Sequence, residues 1–201
     1  MAQHFSIQSY VTLRNNRITQ NGQLLFENEA LSGPEFLQAA YAHFQFNYPK
    51  FFKMDNLCKT GFIAAELLLR NHPEFVNFKP EEKGIILQNA NSSLDTDIKY
   101  EASIATAPSP SLFVYTLPNV LIGELCIRHQ VKGETACFVF DIFDADFQAG
   151  YVNSLLANHG LKTCVSAWAD YYDGKAEAFF SLVGPGTGDE HSAENLAEIW
   201  T

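Results

Sequence analysis

The sequence lacks the features that mark nucleic-acid-binding, secreted and membrane-spanning proteins. Its 13 Lys and Arg residues are outnumbered by 23 Asp and Glu residues, which gives a formal net charge of −10, and they form no cluster. Nucleic acid is therefore excluded as an expected partner, because binding to a phosphate backbone has no electrostatic basis. The N-terminus has no apolar segment behind a basic start, so no signal peptide is predicted. Charge or proline interrupts the apolar runs before a spanning length, so we expect a cytoplasmic protein without membrane contact.

Cysteine is scarce and scattered, which argues against a disulfide framework and a Cys/His metal site. No pair of cysteines has CxxC spacing, and each lies in an apolar run, as expected for buried free thiols in a cytoplasmic protein. The four are Cys58, Cys126, Cys137 and Cys164. Asp141, Asp144 and Asp146 have no partner at ligand spacing, so no metal site is predicted there, and Asp144 and Asp146 are expected to cap the helix that follows.

Apolar residues, in contrast, are abundant. Hydrophobic residues make up 47% of the 201 residues and charged residues 18%, which suffices for the core of one compact domain. Phenylalanine and tyrosine are frequent, with 17 and 8 copies, so wide apolar surfaces must be covered. We expect another subunit to cover part of them.

Helical and strand patterns alternate along the chain, which indicates an α/β layered fold. The apolar run 84–87 predicts a strand, and the polar stretch 88–97 behind it predicts a loop at the strand's carboxyl end, where open α/β sheets place their sites. The stretch 135–143, TACFVFDIF, predicts a strand buried on both faces. The other predicted elements are a strand or an irregular hairpin at 10–26, an extended arm at 107–119, helices at 33–44, 48–71, 120–130 and 147–160, and strands at 162–172 and 175–184.

Several stretches, taken in order, resemble the N-terminal half of the β-ketoacyl synthases, the condensing enzymes of thiolase fold. They are FFKMDNLCKTGFIAAELLL, GIILQNANSSLD, SPSLFVYTLPNVLIGELCIRHQVKG, LKTCVSAWADYY and KAEAFFSLV, which together span 51–183. The segment PSPSLFVYTLPNVLIGELCIRH is similar to short ketosynthase-like proteins of aryl-polyene, flexirubin-type or fatty-acid gene clusters. The resemblance implies an α/β thiolase-like half-fold, a mixed and mostly parallel sheet with helices on its faces. Residues 1–183 would form this domain, and 184–201 an acidic tail or docking helix.

The resemblance also places the catalytic elbow, where these enzymes carry a nucleophilic cysteine just beyond a strand. Counting from Gly133 puts the elbow at Ile142, and counting back from Gly160 puts it at Phe143. Neither side chain can form an acyl-enzyme, so no catalytic residue is predicted. Cys137 is a weak alternative nucleophile, since its mid-strand position suits an inert core thiol. The family's second catalytic half, with its His and Asn residues, has no counterpart in these residues.

The resemblance finally implies the partners and contact residues of a ketosynthase subunit. A homodimer, or a heterodimer with a ketosynthase, would pair through a strand carrying Thr135, Cys137, Val139 and Asp141. No cofactor is predicted, although the phosphopantetheine arm of an acyl carrier protein is an expected contact. That arm, or a partner's pocket, would meet residues in the loop 91–95 and at the start of the next helix; the alternative for the loop is a solvent-exposed turn. These candidate contacts are Asn91, Ser92, Ser93 and Asn119.

Three functions remain open from the sequence. The first is a catalytically deficient partner subunit in carrier-protein-dependent fatty-acid or polyketide-type synthesis. The second is an active 3-oxoacyl-carrier-protein synthase or acyltransferase that uses Cys137 or is completed by a partner chain. The third is a small-molecule binding module.

Overall fold

A computed structural model of the chain describes residues 4–201. Strands and helices alternate, and short 3-10 turns occur at Pro49–Lys53, Pro80–Glu82 and Val114–Thr116. The elements in chain order are β1 (Ser6–Arg14), β2 (Arg17–Gln20), β3 (Gln23–Glu27), α1 (Gly33–His43), α2 (Asn56–Arg70), α3 (Pro73–Asn77), β4 (Lys83–Asn89), α4 (Leu94–Ile104), α5 (Pro110–Phe113), α6 (Val120–His129), β5 (Thr135–Val139), α7 (Ala145–Asn158), β6 (Thr163–Tyr172), β7 (Lys175–Gly184), β8 (Asp189–Glu190) and α8 (Ala193–Trp200).

All the strands join one mixed sheet in the order β3-β2-β1-β7-β6-β4-β5, and β8 pairs with Ser6 and Ile7 of β1 on the edge opposite β7. Among residues 4–201, β4 is parallel to β5 and to β6, and every other pairing is antiparallel. The sheet is mixed, as predicted, but parallel pairing is less common than the sequence suggested. The reason is that β1 to β3 form a meander and β6 to β7 a hairpin, and both need short connections that only antiparallel strands permit.

The two faces of the sheet carry different helices. On one face, α2 packs against β1, β6 and β7, with α1 and α6 beside it, and this side holds the largest apolar core. On the other face, α7 packs against β4 and β6, with α8 beside it. Side chains of β4 alternate between the two cores: Ile85 and Leu87 face α2, and Ile86 faces α7. The central strands are therefore buried on both sides.

Helix α2 is the helix that the sequence predicts most clearly, and its small residues serve close packing. Asp55 caps its first turn, since the carboxylate Oδ1 accepts a hydrogen bond from Cys58 N at 2.8 Å. A Cβ atom at Gly61 would lie 2.6 Å from Cδ1 of Leu121 on α6. The absence of a side chain at Gly61 therefore sets how closely α2 and α6 approach.

Three predicted elements differ from the structure. The strand predicted at 135–143 ends at Val139 and lies at the sheet edge, so it is half-exposed rather than buried on both faces. The polar stretch 88–97 is a loop only briefly, because β4 runs to Asn89 and α4 begins at Leu94. The arm predicted as extended folds into α5 and a 3-10 turn, since Ser109 Oγ accepts from Leu112 N and Pro110 fits a first helical turn.

The segment after β7 is folded onto the sheet. Strand β8 pairs with the start of β1, and Ser192 caps α8, whose Leu196 is fully buried. The predicted domain boundary after Val183 stays a prediction.

No single helix in residues 4–201 is long and apolar enough to cross a membrane. The segments Pro110–Thr116 and Val120–His129 meet the length and composition criteria only as a pair, and they are bent by 95°.

Candidate functional site at the turn between β5 and α7

The turn from β5 into α7 is held by a clamp of hydrogen bonds to the neighbouring strand. Gln88 of β4 is fully buried; its Oε1 accepts from Asp144 N at 2.8 Å and its Nε2 donates to Asp144 O at 2.8 Å. Asp144 in turn caps α7, because its Oδ1 accepts from Phe147 N at 2.8 Å. The turn residues 140–143 are thus fixed between β5 and the amino end of α7.

A buried polar network continues from this clamp to the C-terminal segment. Gln88 Nε2 donates to Gln148 Oε1 at 2.9 Å, and Gln148 Nε2 lies 3.0 Å from Ser166 Oγ. His191, which is 0% exposed, reaches Ser166 Oγ with Nε2 at 3.2 Å and Asn153 Oδ1 with Nδ1 at 2.9 Å. Burial lowers the pKa of His191 to about 4. The network therefore joins α7, β6 and the segment before α8 through a neutral imidazole.

The two predicted elbow positions have different environments. Ile142 is 74% exposed. Phe143 is partly buried in an aromatic cluster, with its ring centroid 5.5 Å from that of Phe179 and 6.2 Å from those of Trp168 and Trp200. Both side chains are hydrocarbon, so neither offers a nucleophile at this turn.

Helix α8 covers this cluster with the side chain of Trp200. The indole of Trp200 stacks on Phe179, with ring centroids 6.0 Å apart. Arg14 from β1 also contacts Trp200: its guanidinium lies 4.9 Å from the ring centroid, and its Nη1 donates to Trp200 O at 3.2 Å. Phe143 is therefore enclosed between the sheet and α8.

Cys137, the alternative nucleophile, faces away from this turn. It packs against the core on the α2 and α6 side, whereas its neighbours Ala136 and Phe138 pack on the α7 side. Its Sγ lies 3.8 Å from the carbonyl oxygen of Pro118, and burial raises its pKa to about 11. A thiol in that state is a weak nucleophile at neutral pH.

Asp170 on β6, which no sequence motif indicates, fixes the predicted contact loop through hydrogen bonds. Asn91 donates to Asp170 twice, from N to Oδ1 at 2.9 Å and from Nδ2 to Oδ2 at 2.5 Å, and Asn89 Nδ2 also donates to Oδ1, at 3.0 Å. Ser92 N donates to Asn89 Oδ1, and Ser92 has a left-handed φ of 54°. Ser93 is buried, and its Oγ donates to Thr116 O at 2.9 Å. Most polar groups of this loop therefore bind the protein's own chain.

Asn119 lies in a different place from this loop. It precedes α6, makes no capping hydrogen bond through its side chain, and lines a cavity of about 400 Å³ between α6 and β5, together with Cys126 and Cys137. The structure therefore does not bring the four predicted contact residues together into one pocket.

The predicted dimer strand coincides with the free edge of the sheet. Thr135 and Val139 are exposed, the latter at 55%, and Cys137 is half-buried between them. Asp141 lies beyond the end of β5, in the exposed turn. No strand pairs with β5 on its outer side in the described part of the chain.

No group of three or more His, Cys, Asp and Glu side chains within residues 4–201 is arranged to hold a metal ion. The residues that shape the candidate site and that the sequence did not indicate are the Gln88–Gln148 clamp, Asp170 and Trp200. Of these, only Trp200 could have been indicated by the sequence, because Leu196, Ile199 and Trp200 have the spacing of an apolar helix face.

Protein-family models and curated protein sequences give no match for this chain. Its fold, however, is similar to solved structures. The ishigamide ketosynthase/chain length factor aligns with 92% of this chain at a TM-score of 0.66 and 13% identity. The complex AntDE:AntF, a type II polyketide acyl carrier protein with its ketosynthase bound to the hexaketide, aligns with 92% at 0.63 and 11%. The ketosynthase ApeO in complex with its chain length factor ApeC, from Xenorhabdus doucetiae, aligns with 92% at 0.56 and 14%.

These similarities show the fold. The chain has a thiolase-like α/β fold, and its structural neighbours are ketosynthase and chain length factor proteins. It spans 63% of the length of each of the first two neighbours and 80% of the third.

Proposed function

We propose that this chain is a non-catalytic subunit that pairs with a ketosynthase in carrier-protein-dependent fatty-acid or polyketide-type synthesis. The observation that carries the proposal is the turn after β5, where the resemblance assigns the nucleophile position to Ile142 or Phe143 and both side chains are hydrocarbon. An acyl group cannot be transferred from a thioester to a phenyl ring. The neighbours, named as ketosynthase and chain length factor pairs, support a partner role on the same fold.

The packing around Phe143 supports a structural role for this turn. Its ring fills the space between Trp168, Phe179 and Trp200, and the Gln88 clamp fixes the backbone. A catalytic turn needs an open path for the substrate to its nucleophile. Here the ring of Phe143 and the indole of Trp200 on α8 pack together on this side of the turn.

The free edge of β5 supports a partner at that place. Backbone donors and acceptors of an unpaired edge strand can extend the sheet into a second subunit. Val139 and Ile142, at 55% and 74% exposure, add apolar surface beside the edge. We infer that a ketosynthase subunit, or a second copy of this chain, pairs with β5 and covers these side chains.

Contact with the phosphopantetheine arm of an acyl carrier protein belongs to the same proposal. The loop Asn89–Ser93 lies at the carboxyl end of β4, next to the Asp144 turn. Its Asn91 and Ser93 side chains are engaged within the chain, so the contact would rest on backbone groups and on Ser92.

Intact-mass spectrometry with an acyl-thioester donor tests the catalytic side of the proposal. The chain is incubated with octanoyl-N-acetylcysteamine at pH 7.5, and we expect no acyl adduct. The Cys137→Ala variant is the matched control. An adduct that forms on the wild type and is lost in Cys137→Ala would instead establish an active enzyme that uses this thiol.

Co-purification with a ketosynthase tests the partner side. The chain is co-expressed with a tagged ketosynthase from the same source, and we expect both to elute as one complex of fixed stoichiometry. A chain that elutes as a monomer, alone and with each ketosynthase tried, contradicts the partner role.

A further inference from the structure

A second cavity lies at the end of the fold opposite the β5–α7 turn. It has a volume of about 390 Å³ and is formed by the carboxyl ends of α2 and α6, the α3 segment and Lys83 at the start of β4. Along β4, five residues separate Lys83 from Gln88 of the clamp, which at about 3.3 Å per residue is roughly 17 Å. The cavity is therefore independent of the site described above.

Basic side chains are concentrated at this cavity, although the chain as a whole has a net charge of −10. Arg70, Lys83 and Arg128 line it, and the one lining carboxylate is Glu66. Glu66 is fully engaged: its Oε1 accepts from Arg128 Nε at 2.8 Å and its Oε2 from Arg128 Nη2 at 3.0 Å, and Oε1 lies 3.2 Å from His129 Nε2. Burial raises the pKa of Glu66, but the hydrogen bonds from Arg128 and the neighbouring His129 outweigh it and lower the pKa to about 2. Glu66 thus neutralises Arg128 and leaves two cations.

Lys83 is the centre of the site. Its side chain is 2% exposed, and its Nζ donates one hydrogen bond, to His129 O at 2.9 Å, while lying 5.1 Å from the ring centroid of Phe75. No carboxylate within residues 4–201 forms an ion pair with it. An ammonium group has three donors, so two remain for a ligand. A buried charge is costly unless it is paired. Glu81 acts on this ammonium only from beyond ion-pair distance, so an anion in the cavity would supply its direct partner.

Arg70 and an apolar wall complete the arrangement. Arg70 donates from Nη2 to Phe44 O at 2.9 Å, stacks over Phe46 at 5.0 Å, and has no carboxylate partner among the described residues. Phe75 is buried in the wall and Val76, at the rim, is 76% exposed. The cavity can therefore receive an anionic group and an apolar group next to it.

We propose that this cavity binds a phosphate monoester, with the phosphate on Lys83 and Arg70 and the esterified apolar group against Phe75 and Val76. The two cations and the free ammonium donors match the charge and the acceptor-only oxygens of a phosphate dianion. Of the carbonyl groups at the end of α6, His129 O accepts one hydrogen bond from the Lys83 ammonium, which leaves its two other donors for the phosphate oxygens.

Isothermal titration calorimetry with phenyl phosphate and with inorganic phosphate, at ionic strength matched with sodium chloride, tests the site. We expect saturable binding of both, tighter for phenyl phosphate because of the apolar wall. Lys83→Met keeps the aliphatic stem and removes the charge, and we expect it to weaken phenyl phosphate binding at least about tenfold. Arg70→Gln should weaken it several-fold, and Lys175→Gln, at an exposed lysine on the β6–β7 hairpin, should leave it unchanged.

Each alternative outcome overturns the proposal. Binding that is absent, or equally strong in all three variants, means that the cations only stabilise the ends of α2 and α6. Benzoate binding as tightly as phenyl phosphate rejects phosphate as the ligand. If Lys83→Met does not fold, the comparison of Arg70→Gln with Lys175→Gln decides alone.

Discussion

Phe143 and Ile142 are neighbours in the turn after β5, yet only one of them contributes to the core. Phe143 contacts three aromatic rings, whereas Ile142 projects into solvent. A side chain that packs on both the sheet and α8 ties the turn to the C-terminal helix. A solvent-exposed isoleucine in the same turn has no such role and suits a surface that meets a partner.

Truncation of these two side chains should separate the two roles. We expect Phe143→Ala to lower the free energy of unfolding by about 2–4 kcal/mol, because it leaves a cavity between Trp168 and Trp200. Ile142→Ala should change it by less than about 0.5 kcal/mol, since little buried surface is lost. Urea titrations of both variants measure the difference, and equal values would show that Phe143 is not enclosed.

His191 makes stability depend on pH. Its ordinary pKa of 6.5 is lowered to about 4 by burial in the folded chain, so between these values the unfolded chain binds more protons. The contribution is fully present above pH 6.5 and is lost as pH falls towards 4, by up to about 3 kcal/mol. We expect urea midpoints to fall over this range in the wild type, and the fall to be clearly smaller in His191→Gln. An unchanged pH profile in the variant would place the titrating group elsewhere.

At the scale of elements, the contact of α2 with α6 depends on one missing side chain. Gly61 faces Leu121 at a distance that leaves no room for a Cβ atom, while Gly123, in α6, has no heavy atom within 4 Å of its Cβ position. Both glycines lie inside helices, so replacement by alanine gives the same gain in helix propensity, roughly 1 kcal/mol.

The pair Gly61→Ala and Gly123→Ala therefore isolates the packing energy. We expect Gly123→Ala to raise the free energy of unfolding by about 0.5–1 kcal/mol. Gly61→Ala should lower it, because the clash with Leu121 costs about 1–3 kcal/mol and exceeds the propensity gain. Thermal and urea unfolding compare the two. A stabilised Gly61→Ala would mean that α6 moves away without cost.

Elements with a strong local pattern were predictable from the sequence, and those defined by tertiary contacts were not. Helix α2 and strands β6 and β7 were predicted because their apolar periodicity is long. The length of β5 was not, since the apolar run continues into the turn, whereas the strand stops at Val139, where its pairing with β4 ends opposite Asn89. Helix α4 was missed because its first turn belongs to the polar stretch 88–97, which has no apolar face typical of a helix.

The same distinction holds for the candidate site. The position of the turn could be predicted from the resemblance, because the glycines at 133 and 160 bracket it. The clamp could not, because Gln88, Gln148, Ser166 and His191 are far apart in sequence and each is an ordinary polar residue in its own stretch. Buried polar networks of this kind are recognised only when the fold brings their members together.

At the scale of the whole molecule, the main strand order of the sheet within residues 4–201 ends at β3 on one side and at β5 on the other, and we expect only β5 to serve association. Val139 on β5 and Leu24 on β3 have similar exposure, 55% and 47%, so they form a matched pair. Lysine on an edge strand opposes pairing with another chain without disturbing the fold.

Val139→Lys should therefore abolish association with a ketosynthase or a second copy, and Leu24→Lys should not. Sedimentation velocity measures both, with far-UV circular dichroism to confirm that each variant is folded. Association that is lost in Leu24→Lys and kept in Val139→Lys would move the interface to β3.

The aromatic cluster under α8 has one further consequence, which is optical. Trp168 and Trp200 are the only two tryptophans in the chain, and their ring centroids lie 6.3 Å apart. All intrinsic indole fluorescence, and the exciton coupling of the two rings in near-ultraviolet circular dichroism, therefore arises where the C-terminal helix rests on the sheet. Lifting of that helix, by a binding partner or by acid, can be followed in real time without attaching a dye.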